Sequence, residues 1–399
     1  MVISDKKIRG YALKNAIAYK GKAAQGAIIS SLFNEGLKKE DMKKYGKKIS
    51  EIIKKVNSMS LEEQEKEYEK LKDVVSEREI REGLPELPNA SEGIVTRFAP
   101  SASGALHVIH GLNAALAYNY VLKYGGKFIV RIEDTNPENI DSKAYKMITE
   151  DAKWLTKNKA EVVIQSDRMN LYYKYAEKLI KSGDAYVCTC SAEDFRELAK
   201  EKKACPCRDL EVKVNMESWK KMLDKKGYVP GKAVLRFKSD IKHKNPAMRD
   251  FPLARINEAI HPRQKKKYRV WPLMNLSVTV DDIEMKMTHI IRGKDHRDNA
   301  LRQEMMFKVL GKKFPWVGFV GRYHFKDMEL STSTFRKGIE SGKYKGWDDP
   351  KLPTVISLRK KGYKPEAFWK MAEHIGLSEV DKTADKKDFF KTLDDFNKI

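Results

Sequence analysis

Four polar side chains between positions 97 and 133 have the types and the spacing to bind an amino acid beside a nucleotide. His107 and His110 open a helix predicted over 106–124, where free N–H groups and the helix dipole favour anions such as phosphate. Arg97 can hold a carboxylate in a bidentate fork, and Glu133 can accept an ammonium group. This combination suits an amino acid that is presented to ATP. Taken alone, however, two histidines at a helix start are more often a cap or solvated side chains.

These side chains need a strand, a turn, a helix and a second strand to bring them together. A short apolar strand ends at Phe98, and the chain then breaks at Pro100 and Gly104. The helix is predicted to end at Gly125–Gly126, before a second strand over 128–132. Such a βαβ unit binds ligands at the carboxyl ends of its strands. The pattern therefore predicts an α/β nucleotide-binding domain.

The composition indicates a basic protein of several domains. The chain has 399 residues, with 79 Lys and Arg against 56 Asp and Glu and a net charge of +23. This length suits two or three domains. The charge favours a polyanion partner, although a lysine-rich proteome would give the same excess. Because the sequence has no apolar run long enough for a bilayer and no hydrophobic leader, we expect a cytoplasmic protein without a membrane partner.

The cysteines form two closely spaced pairs. Cys188 and Cys190 are separated by residues 191–204 from Cys205 and Cys207, and these four are the only cysteines of the sequence. Paired C-x-C elements can bring four thiolates to one tetrahedral zinc ion. Four buried free thiols are the alternative, and the matched pairs favour zinc.

The flanking sequence predicts further elements. Apolar residues at helical spacing over 49–56 indicate a helical bundle in residues 1–80, and Ser60 with Glu63 forms a capping box. The stretch 83–93 has the composition of a linker.

Two strands, 161–165 and 185–188, are predicted on either side of a helix that Ser166 and Asp167 cap. Alternating stretches between 233 and 257 indicate more strands. Cations within and after these stretches are candidates for phosphate contacts, with a solvated loop as the alternative for the lysine run: Lys242, Lys244, Arg249, Lys265, Lys266, Lys267 and Arg269.

Five stretches of the sequence resemble motifs of one protein family. Arg97–Pro100, His107–His110 and Arg131–Pro137 resemble the R-F-A-P, H-I-G-H and R-[FI]-[DE]-D-T-[DN]-P motifs of archaeal glutamyl-tRNA synthetases, which are class I aminoacyl-tRNA synthetases. Further on, 280–296 resembles the family's V-D-D and R-G-[KD]-[DE]-H motifs, and Trp347–Pro353 its W-D-D-P-x-L-P motif. The resemblance covers nearly all of the chain.

The resemblance implies a class I synthetase fold, with a Rossmann-like domain interrupted by an inserted domain. In this division, 1–82 is an N-terminal helical extension, 93–187 and 271–330 are the halves of the catalytic domain, 188–270 is an acceptor-binding insertion with a zinc knuckle, and 331–399 is the phosphate loop with stem-contact helices. The implied activity is glutamate–tRNA ligation. The cofactors would be ATP, Mg²⁺ and Zn²⁺, and the partner would be the acceptor arm of tRNA, with the anticodon-reading part absent or on a separate chain.

The resemblance also implies a role for individual residues. The catalytic candidates are His107, His110, Ser331, Ser333 and Lys337. The glutamate-binding candidates are Arg97, Glu133, Asn275 and Arg292. The ATP-binding candidates are Ala99, Ser101, Gly104, His107, His110 and Asp295. The zinc ligands are Cys188, Cys190, Cys205 and Cys207.

The sequence departs from the family pattern at four places. Ile109 replaces the glycine of H-I-G-H, where adenine lies against bare backbone. Thr334 replaces the lysine of the L-S-T-S-K phosphate loop, where a cation stabilises the transition state. Met274 replaces a tyrosine, and 283–286 differs from D-D-H-L-[ML]-G. The nearby cations that could substitute for the missing lysine are Lys326, Arg336 and Lys337.

These departures leave three functions to consider. The first is a glutamate–tRNA ligase. The second is a catalytically degenerate synthetase paralogue that binds tRNA or a protein. The third keeps the chemistry but charges something other than a whole tRNA. Asn136 also occurs in glutaminyl enzymes, so glutamine stays open as the amino acid.

Overall fold

A computed structural model describes residues 3–76 and 83–398 of the chain. The chain forms two compact units, Met1–Glu82 and Gly83–Ile399. Within the described ranges, no helix is both long and apolar enough to cross a membrane.

The first unit is helical, as the periodicity predicts. Ser60 accepts from the Glu63 N–H (3.2 Å) while the Glu63 carboxylate accepts from the Ser60 N–H (2.8 Å), which confirms the capping box. Apolar side chains including Ile8, Leu13 and Ile49 form a separate core. Its helices are α1 Asp5–Ala18, α2 Gln25–Asn34, α3 Met42–Asn57 and α4 Leu61–Glu69.

The second unit begins with a parallel sheet. Its first elements are β1 Ile94–Phe98, α5 Val108–Tyr124, β2 Gly126–Ile132, α6 Ala144–Leu155 and β3 Glu161–Ile164, and the strands lie in the order β1-β2-β3. This confirms the predicted βαβ unit. Gly125 ends α5 at φ +75°, but Gly126 belongs to the strand. A Cβ on Gly126 would lie 2.0 Å from the Ile94 carbonyl oxygen, so only glycine lets the two strands begin this close together.

An antiparallel sheet occupies the middle of the unit, in the order β4-β5-β6-β7. Trp219 and Trp271 are fully buried in its core. The elements are α7 Met169–Lys181, β4 Ala185–Cys188, α8 Ala192–Lys200, α9 Val212–Leu223, β5 Val234–Phe237, β6 Pro252–Ile256 and β7 Val270–Pro272.

The chain then returns to the parallel sheet. Strands β8 and β9 are parallel, and Thr288, just before β8, joins them to β1: its N–H donates to the Val95 carbonyl (3.0 Å) and its hydroxyl accepts from the Val95 N–H (2.9 Å). The elements are α10 Met274–Glu284, β8 His289–Gly293, α11 Arg297–Val309 and β9 Trp316–Val320.

Helices complete the unit and pack against α5 and α6. Helix α14 lies against α5, where the Asn119 amide donates to the Trp369 carbonyl (2.8 Å). The elements are β10 Tyr323–Phe325, α12 Thr332–Glu340, α13 Val355–Lys360, α14 Pro365–Ile375, β11 Lys382–Ala384 and α15 Lys386–Lys398.

One local prediction was wrong. Ser166 and Asp167 do not cap α7: they lie in a 3₁₀ helix, Gln165–Arg168, whose Ser166 N–H donates to the Asp134 carboxylate (2.8 Å).

Candidate active site

A cleft of about 610 Å³ opens at the carboxyl ends of β1, β2 and β8. It is where parallel strands of an open α/β sheet usually bind their ligands. Nine of the residues predicted from the sequence line it together: Arg97, Ala99, Ser101, Gly104, His107, His110, Glu133, Arg292 and Asp295.

The start of α5 forms one wall of the cleft. His107 is the N-cap, and its Nδ1 accepts from the His110 N–H (3.3 Å). The two imidazole rings stack with 3.6 Å between their centroids. Burial, and then the neighbouring His110, lower the pKa of His107 well below its usual value, and burial lowers the pKa of His110 to about 4. At neutral pH both rings are therefore uncharged.

A buried ion cluster forms the floor. The Asp282 carboxylate accepts from Nε (3.0 Å) and Nη2 (3.3 Å) of Arg97 and from Nη1 of Arg131 (2.6 Å). Burial alone would raise the pKa of Asp282, but Arg97 and Arg131 outweigh it and hold that pKa below its usual value. The sequence predicted Arg97 as a free fork, but the structure uses two of its nitrogens to bind Asp282. Among the described residues, Nη1 of Arg97 has no hydrogen-bond partner.

Glu133 and Arg292 face the cleft above this cluster. Burial raises the pKa of Glu133, although Arg131, Arg97 and Arg292 act in the opposite direction. Arg292 donates through Nη1 to Gln303 (2.8 Å), and burial followed by repulsion from Arg97 lowers its pKa to about 10. The buried Nε of Arg292 has no partner in the described part of the chain. Glu133 can therefore pair with an ammonium group of a ligand, and Arg292 with a carboxylate.

Four predicted residues lie outside the cleft lining: Asn275, Ser331, Ser333 and Lys337. Asn275 is buried behind Met274, which does line the cleft, and the buried Oδ1 of Asn275 lacks a partner in the described chain. Ser331 caps α12 by accepting from the Thr334 N–H (3.3 Å), and Ser333 bonds to the Ser331 hydroxyl (2.8 Å).

The three cations that could replace the missing lysine differ in position. Lys326 pairs with Asp385 (3.1 Å), and Lys337 is exposed. Arg336 donates to the carbonyl of Ser103, a residue of the cleft wall. Ile109 lines the same cleft, as the departure from the family glycine predicts.

Sequence reasoning missed a group of residues that also line the cleft. They are Phe98, Ile291, His296, Arg322, Tyr323, His324 and Leu330. Arg322 lies 3.9 Å from the Asp295 carboxylate. The alternation of polar and aromatic residues in G-R-Y-H-F is a strand signal that could have indicated residues 322–324.

Comparison with known proteins identifies the family. The sequence model described as tRNA synthetases class I (E and Q), catalytic domain, matches residues 93–396. The chain belongs to this family. Curated relatives include the glutamate–tRNA ligase of Methanothermobacter marburgensis, 44% identical over 98% of this chain and 70% of the relative, and that of Methanocaldococcus jannaschii, 45% identical over 94% and 68%. The predicted resemblance to the archaeal glutamyl branch is confirmed.

A solved structure supports the same fold. The glutamate–tRNA synthetase of Elizabethkingia anophelis superimposes with a TM-score of 0.54 and 21% identity, covering 75% of this chain and 69% of that one. The α/β catalytic domain with a parallel sheet, predicted from the sequence, is therefore confirmed.

The cysteines of this synthetase meet outside the cleft. Their four sulfur atoms lie within 4.8 Å of one another, with 3.9 Å between Cys188 and Cys205 and 3.8 Å between Cys190 and Cys207. A tetrahedral zinc with Zn–S bonds of about 2.3 Å separates its sulfurs by about 3.8 Å. The donor set and its spacing therefore fit zinc.

The synthetase's candidate phosphate contacts fall into two groups. Five are exposed lysines that form no ion pair with a described residue: Lys242, Lys244, Lys265, Lys266 and Lys267. Arg249 and Arg269 are buried and donate to backbone carbonyls, so their prediction as phosphate contacts was wrong. Buried arginines look the same as exposed ones in sequence.

Proposed function

We propose that this chain is the catalytic part of a glutamate–tRNA ligase. The observation that carries the proposal is the cleft in which Arg97, Arg292 and Glu133 face the paired histidines of α5. The names of the curated relatives support the same activity. The glutamate α-carboxylate would attack the α-phosphorus of ATP and release pyrophosphate, and a terminal ribose hydroxyl of tRNA would then attack the acyl carbon and release AMP.

The amino acid is bound by charge. The free Nη1 of Arg97 and the guanidinium of Arg292 bind carboxylate oxygens of glutamate, and Glu133 accepts its ammonium group. Asp282 fixes the orientation of Arg97 in advance, so little side-chain entropy is lost on binding.

ATP is bound from the side of α5. His107 and His110 are neutral at pH 7, so they act as hydrogen-bond partners for phosphate oxygens and the helix N-terminus supplies the positive field. Arg336 takes the part of the missing loop lysine, because of the three candidates it alone contacts the cleft wall. Mg²⁺ arrives with ATP as part of that substrate.

Ligase activity is favoured over the binding-paralogue alternative. Ile109 and Met274 change the cleft lining and Thr334 removes a cation from the phosphate loop, but the cleft retains the charged groups that can recognise an amino acid. The relatives at 44–45% identity are named as ligases. The altered residues are then expected to slow the enzyme rather than inactivate it.

The parts outside the cleft follow the family division. Residues 188–270 bind the acceptor arm of tRNA, with Cys188, Cys190, Cys205 and Cys207 holding one structural Zn²⁺ that orders the knuckle. Residues 331–399 contribute the phosphate loop and stem contacts, and 1–82 is a helical extension.

Isotopic exchange of pyrophosphate into ATP tests the proposal. Exchange should depend on glutamate, and glutamine at the same concentration is the matched control for the amino acid. The assay is run with and without tRNA, and charging of tRNA is measured alongside. A chain that binds tRNA but neither exchanges pyrophosphate nor charges tRNA would be the binding paralogue instead.

A further inference from the structure

One buried histidine links the exposed lysines to the residue that follows Glu133 of the cleft. His261 is fully buried, and its ring stacks on Trp271 with 4.9 Å between centroids. Its Nδ1 accepts from the backbone N–H groups of Arg263 (3.1 Å) and Gln264 (3.0 Å). Nδ1 is therefore unprotonated, and Nε2 carries the proton that is donated to the Asp134 carbonyl (3.0 Å).

This ring organises a tight turn, which we call the lysine turn (residues 261–267). The Lys265 N–H donates to the His261 carbonyl (2.8 Å), and Lys265 itself has φ +54°. Two more bonds tie the turn to the 3₁₀ helix before α7: Arg263 (2.7 Å) and Gln264 (2.9 Å) both donate to Asp167. The backbone of the turn is thus fixed while its lysine side chains remain exposed.

The anchor point is next to the amino-acid site. Asp134 immediately follows Glu133, and its carboxylate is itself fixed by the Tyr145 hydroxyl (2.7 Å) and the Ser166 N–H (2.8 Å). The bond from His261 therefore connects the lysine turn to the end of β2, where the candidate ammonium acceptor lies.

We propose that His261 is a positioning residue: it fixes the lysine turn to the end of β2, so that RNA phosphates bound by the turn are held in register with the aminoacylation site. This rests on the proposed function, because it assumes that the RNA is charged in the cleft. The lysines supply affinity for RNA, and His261 supplies their position.

Two substitutions separate the roles of the two ring nitrogens. In His261→Asn, the amide oxygen can still accept from the turn N–H groups but the side chain cannot reach Asp134. In His261→Gln, the amide nitrogen can donate to the Asp134 carbonyl. We expect His261→Asn to lower kcat/KM for tRNA by about ten- to a hundredfold, since small misplacements of a substrate cost this much. His261→Gln should keep most of the kcat/KM of the parent.

A double-mutant cycle shows whether His261 acts through the lysines. Replacing Lys265, Lys266 and Lys267 by alanine should lower kcat/KM in the parent but have little further effect together with His261→Asn. The salt dependence of tRNA binding should be unchanged in His261→Asn alone, because the lysines keep their charges. Equal losses in both backgrounds, or no difference between the Asn and Gln variants, would overturn the proposal.

The control is His289→Asn, which alters another buried histidine whose Nε2 lies at hydrogen-bond distance from a backbone carbonyl, that of Pro88 (2.7 Å), but which lies outside both the cleft lining and the tRNA-binding region. It should leave kcat/KM for tRNA unchanged. A parent that charges no tRNA would refute the proposed function. In that case, the effect of His261 on the lysine turn is measured from the rate at which trypsin cleaves within 263–267. If His261→Asn is cleaved faster than the parent and His261→Gln, the result supports the claim that His261 fixes the lysine turn to the end of β2. Equal rates overturn that claim.

Discussion

Replacing Asp282 by asparagine removes the charge at the centre of the buried cluster. The Asp282 side chain is 1% exposed, and its partners Arg97 and Arg131 are 4% and 0% exposed. The variant therefore leaves two buried guanidinium groups without their shared carboxylate. Removing one partner of a buried pair costs about 3–5 kcal/mol. We expect the free energy of unfolding to fall by about 3 kcal/mol, because the amide can still accept one hydrogen bond.

The pH dependence gives this expectation a sign. Since the folded-state pKa of Asp282 is lowered, its contribution to stability is complete above the pKa of the unfolded chain, about 3.9, and is lost as the pH falls through the folded value. The difference in unfolding free energy between parent and variant should therefore be constant from pH 8 to pH 5 and should shrink below about pH 4.

Urea unfolding followed by tryptophan fluorescence measures the difference. All six tryptophans lie in the second unit, between Trp154 and Trp369, so the signal reports on the unit that contains Asp282. Asp348→Asn is the matched control, because Asp348 pairs with Lys360 at the surface, where such pairs contribute about 0–1 kcal/mol. A loss for Asp282→Asn no larger than that of the control, or one independent of pH down to 3.5, would refute the reasoning.

Four further outcomes are expected. Freshly purified, reduced protein should contain one zinc per chain, and Cys207→Ser should lose it by metal analysis; well under one zinc in the parent removes the site. Replacing Lys265–Lys267 by alanine should reduce the slope of log Kd for tRNA against log salt by about 2–3, whereas Lys146→Ala, which breaks an existing pair with Glu150, should not. The double variant Ile109→Gly/Thr334→Lys should exchange pyrophosphate faster than the parent, at a helix cost of about 1 kcal/mol for the glycine, and an equal or slower rate contradicts this. KM for glutamate should rise as the pH falls towards the raised pKa of Glu133, and a flat profile in the parent would argue against that carboxylate.

Local patterns carried the predictions that succeeded. The capping box of Ser60 needs only the four residues that form it, and the strand 185–188 needs only a short apolar run. The glycines at 125–126 correctly indicated the end of α5. The predicted helix began two residues early, at Leu106 instead of Val108, because His107 serves as the cap.

Contacts between distant residues could not be predicted in this way. Arg97 and Asp282 are 185 positions apart, and nothing in the sequence around either residue shows that they form an ion pair. Ser166 has the side chain of a good helix cap, but its N–H donates to Asp134, 32 positions away, and the tertiary bond prevails over the local preference. The role of His261 was hidden for the same reason, since its partner Asp134 lies 127 positions earlier.

The buried cluster also bears on how the chain folds during synthesis. Arg131 and Asp282 are separated by 151 positions, and the whole antiparallel region is translated between them. A ribosome that adds about 5–20 residues per second needs about 8–30 s to cover that interval. Until α10 emerges, the nascent β1–β2 pair carries Arg97 and Arg131 without the carboxylate that neutralises them in the folded protein. The first half of the nucleotide fold is thus expected to remain hydrated at its floor, and to close only when the second half arrives.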